Sequence, residues 1–179
     1  MDDTDSLGKL HALKNLNKLS DVRPIICIDS REKIPLQFTR LRSIRKTLTT
    51  GDYSLSGAEH LMAIERKSIA DLVACCCSQE RERFERELHR LRGFRFARLL
   101  ICGPRENIEA HAYRSQAPPK AVLNTLSAFE ARYGIPAVFC ANPTEAALKV
   151  ESWVFWFARE IVSDANDLLR GHQRLEAIF

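Results

Sequence analysis

The segment Ala63-Ile64-Glu65-Arg66-Lys67-Ser68-Ile69-Ala70-Asp71-Leu72 sets a carboxylate and an ammonium two residues apart at the end of an apolar run. Two further acids precede it. Asp29 closes the run Ile25-Ile26-Cys27-Ile28, and Asp52 stands in Gly51-Asp52-Tyr53. Two or three acids with a lysine are what metal-dependent phosphodiester hydrolysis asks for. Carboxylates hold Mg2+ or Mn2+, which keeps several waters, and an ammonium steadies the attacking water or the phosphoryl oxygens. On a strand, alternate side chains share a face. Glu65 and Lys67 therefore lie on one side, roughly 6.5–7 Å apart at Cα. The Arg66 side chain points the other way, with its backbone carbonyl free to face the metal side.

On this reading Asp52 and Glu65 are the first metal ligands, and Asp29 adds a ligand through water. Lys67 acts on the water or the phosphate, and Arg31 contacts the scissile phosphate. Each residue also has a plainer reading. Glu-Arg-Lys alone is ordinarily a surface charge run. Asp29 suits the cap of a loop. Asp71 stands in Ser68-Ile69-Ala70-Asp71, which has capping-box spacing, so it either satisfies the helix start or supports the site.

Strands are predicted at residues 25–29, 45–49, 52–55, 62–67, 97–102 and 137–140, with a shorter one at 36–38. A hairpin joins 52–55 to 62–67 across a turn at 57–60. Helices are predicted from Ser68 to about Cys77, over about 80–92, from Pro118-Pro119 to about Tyr133 before Gly134, and from a Thr144 cap to about Asp164. Strands followed by alternating helices and strands give the α/β class, a mixed sheet flanked by helices. Three segments follow: an arm or docking helix over 1–22, a nuclease-like domain over 23–164, and a tail over 165–179.

The 179 residues suffice to bury a real core. A net charge of +4 permits a nucleic-acid partner without requiring one. The charge is uneven. Residues 31–49 hold six Lys or Arg against one acid, and residues 79–98 hold seven Arg against four Glu. No apolar stretch suits a signal peptide or a membrane span. The six cysteines form neither a CxxC pair nor a secreted framework. Unpaired thiols imply a reducing compartment, the cytoplasm of a prokaryotic or phage system or the nucleus of a eukaryotic cell.

The combination Ile28-Asp29-Ser30-Arg31-Glu32, Gly51-Asp52-Tyr53 and Glu65-Arg66-Lys67-Ser68-Ile69-Ala70-Asp71-Leu72 resembles the ERCC4-type nuclease domain of the XPF/Mus81-family structure-specific endonucleases. The likeness covers about residues 24–164. It implies a restriction-endonuclease-like fold and a Mg2+- or Mn2+-dependent cut in DNA, commonly branched as a flap or fork. It also carries catalytic or metal-binding roles to Asp29, Arg31, Asp52, Glu65, Arg66, Lys67 and Asp71. Two departures stand out. The spacing from Asp52 to Glu65 is longer than the family pattern, with the extra residues at a hairpin tip. No tandem helix-hairpin-helix region follows, so a stand-alone nuclease is expected.

In the helix over 80–92, Phe84, Leu88 and Leu91 make the buried stripe. Arg81, Arg83 and Arg86 join Arg31 as expected DNA contacts, although Glu–Arg pairing on a solvated helix is the ordinary role of such residues. The helix over 144–164 is apolar around most of its circumference. It is covered either by a second copy, as a homodimer or a heterodimer, or by this chain's own ends. The reading from another class is a catalytically silent DNA-binding or scaffold module of the same fold.

Overall fold

The computed structural model describes residues 23–77 and 79–176, with side chains placed through residue 171. Two compact units divide the chain, one over Pro24–Phe155 and one that includes the last helix from Trp156 onward. In the second unit the Arg159 guanidinium lies 5.2 Å from the Trp156 ring. The sheet lies in the first unit.

Six strands form that sheet: β1 (Ile25–Asp29), β2 (Arg42–Lys46), β3 (Tyr53–Leu55), β4 (Met62–Ser68), β5 (Phe96–Cys102) and β6 (Ala137–Cys140). Their order is β2-β1-β3-β4-β5-β6. β2 runs parallel to β1, β3 is antiparallel to both β1 and β4, and β4, β5 and β6 are parallel. The helices are α1 (Ile69–Cys77), α2 (Arg81–Leu91), α3 (Glu106–Glu109), α4 (Pro119–Tyr133) and α5 (Pro143–Glu176).

Residues paired across strands share a face. Cys27 pairs with Ser54 and Ala63 with Ala97, so one face carries Cys27, Asp29, Ser54, Ala63, Glu65, Lys67, Leu99 and Ile101. Ala63, Leu99 and Ile101 pack there against Leu72, Phe84, Leu88, Leu126 and Phe129 of α1, α2 and α4. On the opposite face lie Ile28, Tyr53, Ile64, Arg66 and Phe96. The Phe96 ring meets Trp153 of α5 edge-on at 6.0 Å. Asp29, Glu65 and Lys67 thus project from the strand ends on the α1–α2 side.

Several elements differ from the sequence reading. The strand expected at 45–49 lies at Arg42–Lys46, because both backbone groups of Leu48 are taken by side chains. Its N–H donates to Asp29 Oδ2 at 2.9 Å, and its carbonyl accepts from Arg31 Nη2 at 2.7 Å. Residues 36–38 form no strand. They belong to a crossing loop in which Leu36 N–H donates to the Tyr53 hydroxyl and Phe38 packs edge-on against Tyr53. The same loop is tied down by Glu151 of α5, 3% exposed, whose Oε1 accepts from the backbone N–H of Thr39, Arg40 and Leu41. Helix α3 was not foreseen. α5 begins at Pro143, capped by Asn142 Oδ1 on Glu145 N–H rather than by Thr144, and runs past residue 164 to Glu176. α4 stops where expected, at left-handed Gly134.

Gly51 has φ +78°, and a Cβ there would stand 3.0 Å from the Ile64 carbonyl oxygen. The close approach allows Asp52 N–H to donate to that oxygen at 2.8 Å. Gly51→Ala is therefore expected to destabilise the protein by about 1–3 kcal/mol, read as a lower urea midpoint. An unchanged midpoint would mean that this approach is not a constraint.

Candidate active site

A cavity of about 580 Å³ opens at the ends of β1 and β4, beside the start of β3. Its lining includes Asp29, Arg31, Asp52, Glu65, Arg66, Lys67 and Asp71, the seven residues singled out from the sequence. Each is placed for a local reason. Asp29 and Asp52 are neighbours because Asp29 N–H donates to the Asp52 carbonyl at 2.8 Å. Asp52 Oδ2 in turn accepts the Arg66 N–H at 2.7 Å, which fixes that carboxylate against β4.

Asp29 is 2% exposed and accepts four N–H groups. Arg31 supplies its backbone N–H at 2.7 Å, Nε at 2.8 Å and Nη2 at 2.9 Å, and Leu48 supplies the fourth at 2.9 Å. The Arg31 hydrogen bonds lead in pulling its pKa down to about 2, against the effect of burial. This carboxylate is saturated, and it holds Arg31 at the cavity edge with a side chain 70% exposed. Arg66 turns to the opposite face of β4. Its guanidinium pairs with Glu32 at 3.0 Å and reaches the Ile34 carbonyl at 3.2 Å. Asp71 caps α1: its N–H donates to Ser68 Oγ at 3.1 Å, and Ser68 Oγ donates to Asp71 Oδ2 at 2.7 Å. It does so at the exposed rim of the same cavity, so the cap and the place in the lining belong to one residue.

Lys67 pairs with Glu65 Oε1 and lies 3.3 Å from Glu87 Oε2, with its ammonium 5.1 Å from the centre of the Phe84 ring. Burial opposes its charge, but attraction to Glu65 and Glu87 outweighs burial and keeps it protonated beyond the usual lysine range. Burial pushes Asp52 up to about 6, with repulsion from Glu32 and Glu87 adding to it. Glu65, 4% exposed, is raised well above the ordinary carboxylate range by burial first and then by repulsion from Asp52. Asp52, Glu65 and Glu87 thus share one ammonium. The remaining negative charge is what a divalent cation would offset.

The donor set fits a hard cation. Among the described residues no three His, Cys, Asp or Glu side chains are grouped closely enough to form a closed metal cage. Two carboxylates with water and substrate oxygens completing the sphere suit Mg2+ or Mn2+ rather than structural zinc. All six cysteines are free thiols.

The cavity includes residues that the sequence reading passed over. Glu87 is the foremost. It lies four residues after Arg83 and three after Phe84, on the helix face that turns to the cavity. The lining takes Arg83, Phe84, Glu87 and Arg90 from α2 and Glu80 from the position before it. Arg81 lies outside it, bound to Glu85 at 2.9 Å with its guanidinium 5.3 Å from the Phe129 ring. Arg86 is also outside the lining, 3.9 Å from Glu82 on the exposed surface.

The family described as "ERCC4 domain" matches residues 28–152. No curated protein matches the sequence. Among solved structures the chain is similar to XPF from Aeropyrum pernix, with a TM-score of 0.58 and 22% identity over 73% of this chain and 60% of that one. It is similar at the same score and identity to XPF from Aeropyrum pernix in complex with DNA, over 77% of this chain and 66% of that one. The chain spans about 60% of the length of the first of these. The likeness is one of fold, a restriction-endonuclease-like mixed sheet flanked by helices. No helix among the described residues is long and apolar enough to cross a membrane.

Folding raises the Asp52 pKa from 3.8 to about 6. The stability linked to that proton is full below pH 3.8 and is lost as the pH rises through about 6. In EDTA at pH 7, Asp52→Asn should therefore stabilise the protein by on the order of 2–3 kcal/mol, read as a higher melting temperature. Protons would compete with any cation held by Asp52, so a Mn2+ affinity of this cavity should fall about tenfold per pH unit below 6. A melting temperature lowered by Asp52→Asn in EDTA, or a Mn2+ affinity independent of pH from 5 to 7, would contradict this account.

Proposed function

The chain belongs to the ERCC4 domain family, and from that membership and the chemistry of the cavity we propose that it is a divalent-metal-dependent DNA endonuclease, acting on branched DNA such as flaps or forks. The observation that carries the reading is the convergence of Asp52, Glu65 and Lys67 on one cavity with more carboxylates than cations. Asp52 and Glu65 would hold Mg2+ or Mn2+. When bound, such an ion supplies acidification of a water and neutralisation of phosphate charge.

The chain's own groups do the rest. Lys67 places a permanent positive charge where the phosphoryl oxygens develop negative charge. Glu87 offers that ammonium a second carboxylate, so Glu65 can turn to a cation without stranding Lys67. Arg31, held by Asp29, presents a guanidinium at the cavity edge for the phosphate flanking the cut. The water-mediated metal role expected of Asp29 is less favoured than the roles of Asp52 and Glu65, because both of its oxygens already accept two N–H groups and a contact to a metal-bound water would displace at least one of them. Arg66 serves through its backbone N–H on Asp52, and its side chain anchors the loop after β1 through Glu32. Asp71 fixes the start of α1 against the site.

Pairing of two copies through α5 is part of the proposal. Phe155 is 45% exposed on that helix, apolar surface that a second copy would bury further, and sedimentation would test the pairing.

Labelled flap, fork, junction and linear duplexes incubated with Mn2+ or Mg2+ test the activity. Asp52→Asn, Glu65→Gln and Lys67→Ala should each lower cleavage by about 100-fold or more, with secondary structure retained. Cleavage that survives all three substitutions, or that continues in EDTA, would place the chemistry elsewhere. Glu87→Gln should lower cleavage by a smaller factor, about tenfold, because Glu65 then remains bound to Lys67.

A further inference from the structure

We propose that the basic edge of the sheet, formed by β2 and the loop before it, is the surface on which duplex DNA lies outside the cavity. This rests on the reading of the cavity as a DNA-hydrolysing site and adds where the rest of the polymer goes. A cavity of about 580 Å³ has the size of a small-ligand site. It admits the scissile phosphate and its neighbours, and the duplex must cross a rim.

Two rims carry cations, and they differ in balance. Over residues 80–91 four Arg stand against four Glu, and three of the four arginines pair with a glutamate, Arg81–Glu85 at 2.9 Å, Arg83–Glu80 at 3.6 Å and Arg86–Glu82 at 3.9 Å. That rim has little net charge to offer a polyanion. The other rim carries Arg31, Lys33, Arg40, Arg42, Arg45 and Lys46, all exposed. Its one acid in sequence, Glu32, is turned inward onto Arg66. Arg31 pairs with Asp29 at 2.8 Å and Lys46 with Glu59 at 2.6 Å, while Arg45 donates to the carbonyls of Ser30 and Glu32. Lys33, Arg40 and Arg42 have no acidic partner among the described residues.

The register aims this charge at the site. Arg42 lies opposite Ile25, Ile44 opposite Cys27 and Lys46 opposite Asp29. Arg42 and Lys46 therefore occupy the sheet face that carries Asp29, Glu65 and Lys67. Over the five residues of β2 the row runs roughly 13 Å and ends beside the cavity. All five are exposed, so the strand is open along its length. Lysines and arginines on an edge strand also discourage pairing with another sheet. That role asks for a charge or two on the strand. It does not ask for the further cations of the loop on the same rim, and the whole set suits a row of phosphates.

Anisotropy titrations test this with a labelled duplex of about 20 base pairs and the full chain carrying Asp52→Asn, at several salt concentrations. Combining Lys33→Gln, Arg40→Gln and Arg42→Gln should weaken binding about 10- to 100-fold near 0.1 M salt and lower the salt slope by about 2–3. Arg40→Lys with Arg42→Lys should bind as the parent does, and so should Arg81→Gln with Arg86→Gln. An unchanged slope in the triple variant overturns the proposal. So does an equal loss in the α2 pair, or capture of polyglutamate by this edge in place of the duplex. Should the triple variant melt early, each single substitution is read instead, with a slope loss of about one expected and none contradicting the proposal. Binding is measured without cutting, so a protein that binds here but never cleaves sinks the nuclease reading alone.

Discussion

Three carboxylates and one ammonium in a part-buried cavity make an arrangement that folding by itself disfavours. Asp52, Glu65 and Glu87 surround Lys67, and burial drives Asp52 and Glu65 toward their protonated forms. A protein selected for stability alone would place apolar side chains at such strand ends. The excess charge has a physical use only if another positive charge joins it. That imbalance links the stability of the chain, its affinity for a cation and the chemistry proposed for it.

The surrounding structure holds the acids in place. Asp29 is the opposite case to Asp52. It is only 2% exposed, yet four N–H donors keep it ionised at ordinary pH. With its charge satisfied, it serves as a fixed post. It ends β2, positions Arg31 and, through its own N–H, locks the backbone of Asp52. Gly51 completes the framework by letting β3 approach β4 more closely than a side chain would permit. Two aspartates of similar sequence character thus have pKa values shifted in opposite directions, down by the donors around Asp29 and up by the burial of Asp52.

Much of this was legible beforehand because it depends on local rules. The run Ile25-Ile26-Cys27-Ile28-Asp29 reads directly as β1, and the stop of α4 at Gly134 follows from left-handed geometry. The strand expected at 45–49 was displaced because Leu48 bonds to side chains 17 and 19 residues away. Glu87 went unnoticed because a glutamate among alternating Glu and Arg looks like every other one until the helix is docked. Arg81 and Arg86, expected as DNA contacts from the same run of Glu and Arg, lie outside the lining of the cavity.

What the sequence determined alone was which groups share a strand face and which family motifs are present, because side-chain alternation and short spacings are local properties of the backbone. It also set the basic bias of residues 31–49. What only the tertiary structure decided was the partner of each charge. Strand order brought Asp29, Asp52 and Glu65 together across 36 residues of chain, and docking of α2 added Glu87. Solvation and Coulomb energies depend on distance in space, and distance along the chain does not supply it.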